Sequence, residues 1–196
     1  MCTAQIKKKK LLQEKFKHKN KKSSYAQHKI RCEELLNDYH NQYFINICIL
    51  RVFSVFGPNM DFDKYFIGNI FKHILEKSDL KIFNPNLFYR NYIFIDDLIK
   101  IIFKSLKLNS KFSIINVGNF NIRNDILYKT LIKYFNHIKV KPKIFNDKVV
   151  DYNIPNLSKQ KKFLKIIFTN KNVSFNRTYK WLKQNYNTVN SVEKKV

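Results

Sequence analysis

Apolar positions recur along this chain in two rhythms. Behind the serine pair Ser23-Ser24, which can cap a helix N-terminus, Cys32, Leu35, Leu36 and Tyr39 fall at i, i+3, i+4 and i+7. That spacing predicts an amphipathic helix over 25–41. The next stretch, FINICILRVFSVFG at 44–57, is almost continuously apolar, rich in Ile, Val and Phe, and closed by Gly57-Pro58. It has the pattern of a strand buried on both faces, as in a parallel sheet. Further helices are predicted over 65–77, 97–106, 124–135 and 176–186, the last carrying Trp181. Strands are predicted over 91–95 and 112–118, with a short one near 139–145. Turn signals in NPNLFYR precede the second strand, and a polar connection precedes the last helix. Alternation of strands and helices, without internal repeats, predicts α/β architecture.

Composition narrows the function classes. The chain has 196 residues, 44% apolar and 15% aromatic, enough to fill the core of one ordinary domain. No apolar run nears the roughly 18 residues that span a bilayer. The N-terminal lysines have no apolar segment behind them, so a cytoplasmic protein without a membrane partner is expected. Cys2, Cys32 and Cys48 are an odd set without pairing or metal-ligand spacing, which predicts neither a disulfide framework nor a metal site.

The formal charge is +24, but only five of the 38 basic residues are arginine. Lysine is spread through the chain beside abundant Asn, Ile, Phe and Tyr, a mixture that A/T-rich codons produce. The dense cluster at 7–22 lacks interleaved aromatics and any helix-turn-helix or zinc pattern, and reads as an exposed basic loop. A basic nucleic-acid-binding protein stands as an alternative reading. It would require the basic residues to gather on one face.

On the first helix Tyr25, Lys29 and Glu33 lie along one stripe. The same Tyr/Lys spacing recurs at Tyr179 and Lys183. Taken alone, either pair is an ordinary helix face.

The order of motifs separates the two. The Tyr25/Lys29/Glu33 helix, then LRVFSVFGP, then RNYIFIDDL, then INVGN resembles the C-terminal portion of extended short-chain dehydrogenase/reductases, the NAD-dependent nucleotide-sugar epimerase and dehydratase family. The resemblance runs from residue 2 to about 186. It implies the C-terminal part of a Rossmann-like parallel sheet with a small α/β nucleotide-sugar-binding lobe. Residues 1–58 would be the remnant of the Rossmann-like domain, and 59–196 mainly the substrate lobe, with 90–106 returning to the sheet.

By the same resemblance, Tyr25 is the catalytic base, and Lys29 beside it favours the phenolate and holds the nicotinamide ribose. Proximity to an ammonium is the physical reason a phenol can serve there. Both therefore also count as cofactor-binding. Thr3, in CTAQI, matches the third catalytic group, followed by Glu14, although the family's Tyr-Gly after Ile6 is missing. Ser54 falls where an Asn of the family touches the nucleotide-sugar, and Arg90 matches the arginine that binds the diphosphate. Lys148 and Asp151 sit where an Arg and an Asp meet the nucleotide. Asp97 matches a strand-terminal Asp expected to cap the following helix. Asn116 and Gly118 match a strand end, and Asn156 and Lys165 replace a usual Asp and Gly in IPNLSKQKKFLK.

The implied cofactor is NAD or NADP, the implied partner a nucleotide-sugar. Yet the family's glycine-rich turn, whose backbone approaches the pyrophosphate, is not spelled by the three glycines Gly57, Gly68 and Gly118. A truncated epimerase or dehydratase, inactive alone, is therefore expected, requiring a separate N-terminal half. A homodimer through the tyrosine helix is a further implication. A non-catalytic nucleotide-sugar-binding subunit or a decayed fragment is the alternative within the family.

Overall fold

The computed structural model describes residues 11–14, 23–83, 87–135, 142–145 and 151–193, with side chains described to 187. Ser23 starts the first helix, α1 (Ser24–Tyr43), by accepting a hydrogen bond from the Ala26 N–H at 3.3 Å. Phe44 ends it in the left-handed region at φ 56°, its N–H bonding His40 O. The predicted apolar stripe of α1 is not a core face, because the helix buries no residue and Leu35, Leu36 and Tyr39 are exposed.

The apolar run 44–57 is a strand that changes partner. Its first part, β1 (Ile47–Val52), pairs in parallel with β5 (Phe112–Val117). Its second, β2 (Ser54–Phe56), pairs in parallel with β4 (Phe88–Phe94). Phe53 is the switch, its N–H bonding Val117 O at 3.0 Å. Burial on both faces holds only near the end of the run, since β1 is half-exposed and Phe56 is fully buried. β1 has a single strand partner among the described residues, which leaves its apolar side chains only partly covered.

Helix α2 (Phe66–Glu76) follows β2, and α3 (Ile95–Ser105) follows β4 directly. Four elements were not read from the sequence: β3 (Lys81–Phe83), β6 (Phe120–Arg123), β8 (Asp151–Asn153) and α5 (Ser158–Phe163). β3 pairs with β7 (Lys143–Phe145), the described part of the strand predicted near 139–145, and β6 runs antiparallel to β4. Helix α4 (Asn124–Phe135) has its predicted bounds, and α6 (Lys171–Glu193) starts earlier than predicted. The predicted α/β class stands, with one antiparallel strand added.

Two cores flank the sheets. Phe56 lies at the centre of the larger one, with Phe94 and Phe175 rings at 5.6 and 5.5 Å. α2, α4 and α6 close over it through Phe71, Leu131 and Leu182. Burying a phenylalanine of this kind contributes about 1.5–3 kcal/mol. The smaller core packs Leu98 and Ile101 of α3 against Ile93, Ile115 and Val117.

Candidate active site

Strand pairing places the candidate residues. Residues 89–92 of β4 pair with β6, so β2 and β8, which pair with 92–94 and 88–90, share the opposite edge end to end. Asn91 lies at the gap between them. Ser54 is opposite Tyr92, and Asn153 opposite Arg90. Over this junction, where the chain has just switched sheets, opens a cleft of about 740 Å³. The cleft lies at the carboxyl ends of β1 and β2, the side on which open α/β sheets take ligands.

Tyr25 and Ser54 both line the cleft, along with Arg51, Asn59, Tyr65 and Asn153. Tyr25 is 69% exposed, and the Lys29 ammonium stands 5.6 Å from its ring centroid. Arg90 and Asp151 are not in the lining but form an ion pair with each other next to it. Arg90 also donates to Tyr89 O at 3.1 Å and lies 5.4 Å from the Phe88 ring. These two bonds use two of its five N–H donors. Thr3 and Lys148 lie outside the described residues.

The structure adds a residue that motif matching had not assigned. Arg51, on β1, sends Nε to Glu33 Oε1 at 2.8 Å and Nη2 to Glu33 Oε2 at 2.6 Å, and Nη1 to Glu14 O at 2.9 Å. Its bonds to Glu33 hold the guanidinium above its ordinary value, against the opposing effect of burial. The planar fork of arginine suits this bidentate grip. Arg51 thus ties the helix carrying Tyr25 and Lys29 to the sheet. The available signal was its rarity: all five arginines of this lysine-rich chain are ion-paired with a carboxylate.

Other motif positions prove structural. Asp97 is fully buried but does not cap α3. It accepts bonds from Thr169 N at 3.0 Å, Thr169 Oγ1 at 2.8 Å and Lys100 Nζ at 2.9 Å, fastening the segment before α6. The reason is position, since Phe94 is the cap residue and Asp97 lies inside the first turn. Gly118 exchanges two bonds of 2.8 Å with the Gln160 side chain. A Cβ on Gly118 would stand 1.8 Å from Asn91 Oδ1, so a close approach requires glycine there. Asn156 Oδ1 accepts from Ser158 N at 2.9 Å and Ser158 Oγ at 2.6 Å, a local turn just before α5. Tyr179 is core, 4.4 Å from the Phe135 ring, which separates it from Tyr25.

The family model described as NAD dependent epimerase/dehydratase family matches residues 3–118, more than half of the chain. The chain belongs to that family. UDP-glucuronate 4-epimerase of Thermodesulfobacterium geofontis is 29% identical over 180 residues, covering 87% of this chain and 54% of the relative. UDP-glucuronic acid decarboxylase 3 of Arabidopsis thaliana is 29% identical over 99 residues, or 50% of this chain and 29% of the relative. The solved UDP-glucuronic acid 4-epimerase from Bacillus cereus in complex with NAD is 25% identical, with TM-score 0.78 over 93% of this chain and 57% of that one. As an epimerase/dehydratase family member, the chain therefore spans about half the length of the first of these relatives. The Rossmann-like α/β expectation is met by these structural likenesses.

Proposed function

We propose that these residues form the acid/base and nucleotide-sugar-binding portion of an NAD-dependent nucleotide-sugar epimerase or dehydratase. One observation carries the reading: Tyr25 and Ser54, predicted from separate motifs, line a single cleft at the carboxyl ends of β1 and β2. UDP-glucuronate is the first substrate to test, because it recurs in the names of the relatives. In this reading the sheet of 1–58 and 90–106, joined by β5, faces a substrate lobe made from most of 59–196.

The residues fit the nicotinamide end of the cofactor. Lys29 lies beside Tyr25, which lines the cleft, and in this reading it holds the ribose while Tyr25 holds the reacting hydroxyl. NAD, when bound, supplies the hydride acceptor. Tyr25 takes the sugar hydroxyl proton onto its phenolate oxygen as the adjoining carbon is oxidised, and returns it in the reverse step. Ser54 contacts the sugar, with Thr3 as the third catalytic group. Arg90, preoriented by Asp151, and Lys148 meet the diphosphate and nucleotide. The pyrophosphate of NAD has no glycine-rich cradle in these 196 residues. Turnover needs that cradle from beyond them, on the same polypeptide or another.

Calorimetry with UDP-glucuronate, then with NAD+, tests the reading. Binding of the UDP-sugar that weakens about tenfold or more in Arg90→Ala and survives Tyr25→Phe is expected. Absence of UDP-sugar binding to the wild-type chain would overturn it.

A further inference from the structure

Helix α3 has two apolar stripes. One, Leu98 and Ile101, packs on the smaller core. The other, Ile99, Ile102, Phe103 and Leu106, repeats at i, i+3, i+4 and i+7 and faces outward, with Phe103 64% and Leu106 76% exposed. Lys100, Lys104 and Lys107 form a stripe beside it at i, i+4 and i+7. The segment before α6 extends the same surface. Lys104 donates to Lys165 O and Lys100 to Ile167 O at 3.5 Å, next to the Ile167 side chain, which is 91% exposed.

Charge around this face is mostly positive. No Asp or Glu occurs from Leu98 to Asn124 or from Tyr152 to Val192, whereas these stretches hold five and eight basic residues. Neighbouring Asp97 is buried, and Asp96 is paired with Arg177. Lys104, Lys107 and Lys165 have no carboxylate partner among the described residues. Lys100 and Arg177 are thus paired with Asp97 and Asp96, and the charge of Lys104, Lys107 and Lys165 is what this region leaves without a carboxylate.

We propose that the outer face of α3, with the segment around Ile167, is a docking surface for an anionic lipid membrane. A helix that sets an aliphatic stripe beside lysines matches interfacial binding, in which apolar side chains enter the headgroup boundary and lysines meet acidic headgroups. A single-stranded nucleic acid would instead call for aromatic platforms, and the exposed side chains of this stripe are mostly aliphatic. The inference concerns peripheral contact. No helix among the described residues is long and apolar enough to cross a membrane, and the expectation of no membrane partner rested on the length of apolar runs and on the residues behind the N-terminal lysines, neither of which bears on peripheral contact. It is independent of the reaction proposed for the cleft.

The test is co-sedimentation of the purified 196-residue chain with phosphatidylcholine vesicles, with and without about one-third phosphatidylserine, alongside titration with a fluorescent oligouridylate. Binding to the anionic vesicles only is expected, reduced about fivefold for each lysine removed in Lys104→Gln and Lys107→Gln, and at least tenfold in the double substitution Phe103→Ser, Leu106→Ser. Ile167→Ser, in the loop, repeats the apolar test if the helix variant melts early. No binding to anionic vesicles, equal binding to neutral ones, or undiminished binding by the apolar variants would overturn the proposal. So would substitutions that weaken oligouridylate binding and leave vesicle binding intact.

Discussion

Arg51 and Glu33 lie eighteen positions apart, on a strand and a helix, and join through two hydrogen bonds of 2.8 and 2.6 Å. Since α1 buries no residue, this bidentate pair is a main anchor of the helix that presents Tyr25 and Lys29. Arg51→Met leaves Glu33 without its donors and removes the bond to Glu14 O. The expected cost is about 1–3 kcal/mol, localised to α1. Hydrogen exchange should show α1 amides losing protection while α2 and α4 keep theirs. Uniform loss across the chain would show the anchor to be global.

Tyr25 and Tyr179 share a spacing to lysine but not a setting. Once a dinucleotide cradle is supplied, Tyr25→Phe should lower turnover by about 10²–10⁴-fold with little change in UDP-sugar affinity. Tyr179→Phe, which keeps the ring against Phe135, should leave turnover intact. Steady-state kinetics of the two variants side by side make the comparison.

Gly118→Ala places a methyl where Asn91 Oδ1 stands. Asn91 is buried and bonded to Asn121 Oδ1 at 2.7 Å, so it has little room to yield. Overpacking should cost about 1–3 kcal/mol. Thermal melts should show a fall of about 2–4 °C per kcal/mol, partly relieved by the second change Asn91→Ser.

Asp125, at the start of α4, should give acid sensitivity. Burial raises its carboxyl, but the Arg123 bonds, the Ile126 N–H and Lys129 outweigh burial and hold it below the usual range. A depressed folded value means that its stabilisation is complete above about pH 4, the unfolded value, and is lost as pH falls through the folded value. Melting temperature should drop more steeply below about pH 4 in the wild type than in Asp125→Asn. Parallel curves would remove Asp125 from the account.

Much of this molecule was legible in residue order. Helical periodicity gave every described helix except the short α5, with α4 matched in its bounds, and the serine pair 23–24 marked the cap that Ser23 supplies. The strands that escaped are short, three or four residues each. β8 is Asp-Tyr-Asn, and β6 is four residues running directly into α4, so neither carries enough alternation to register. The outward stripe of α1 misled because periodicity reports that a face is apolar, not that something covers it. At the site, motif order brought Tyr25 and Ser54 to one cleft and Arg90 to Asp151. The Arg51–Glu33 clamp needed three dimensions, as no local pattern links a strand arginine to a helix glutamate.

The partner change at Phe53 also bears on how the chain is made. The two halves of the 44–57 run wait for partners that lie later in the sequence: Ser54 pairs with Tyr92, and Ile49 with Ile114. A growing chain therefore carries its most apolar segment incompletely paired until Val117, sixty residues beyond Gly57, has left the ribosome, several seconds at about 5–20 residues per second. During that interval the segment is a ready client for a chaperone, and slowing synthesis downstream of residue 57 should lengthen its dependence on one.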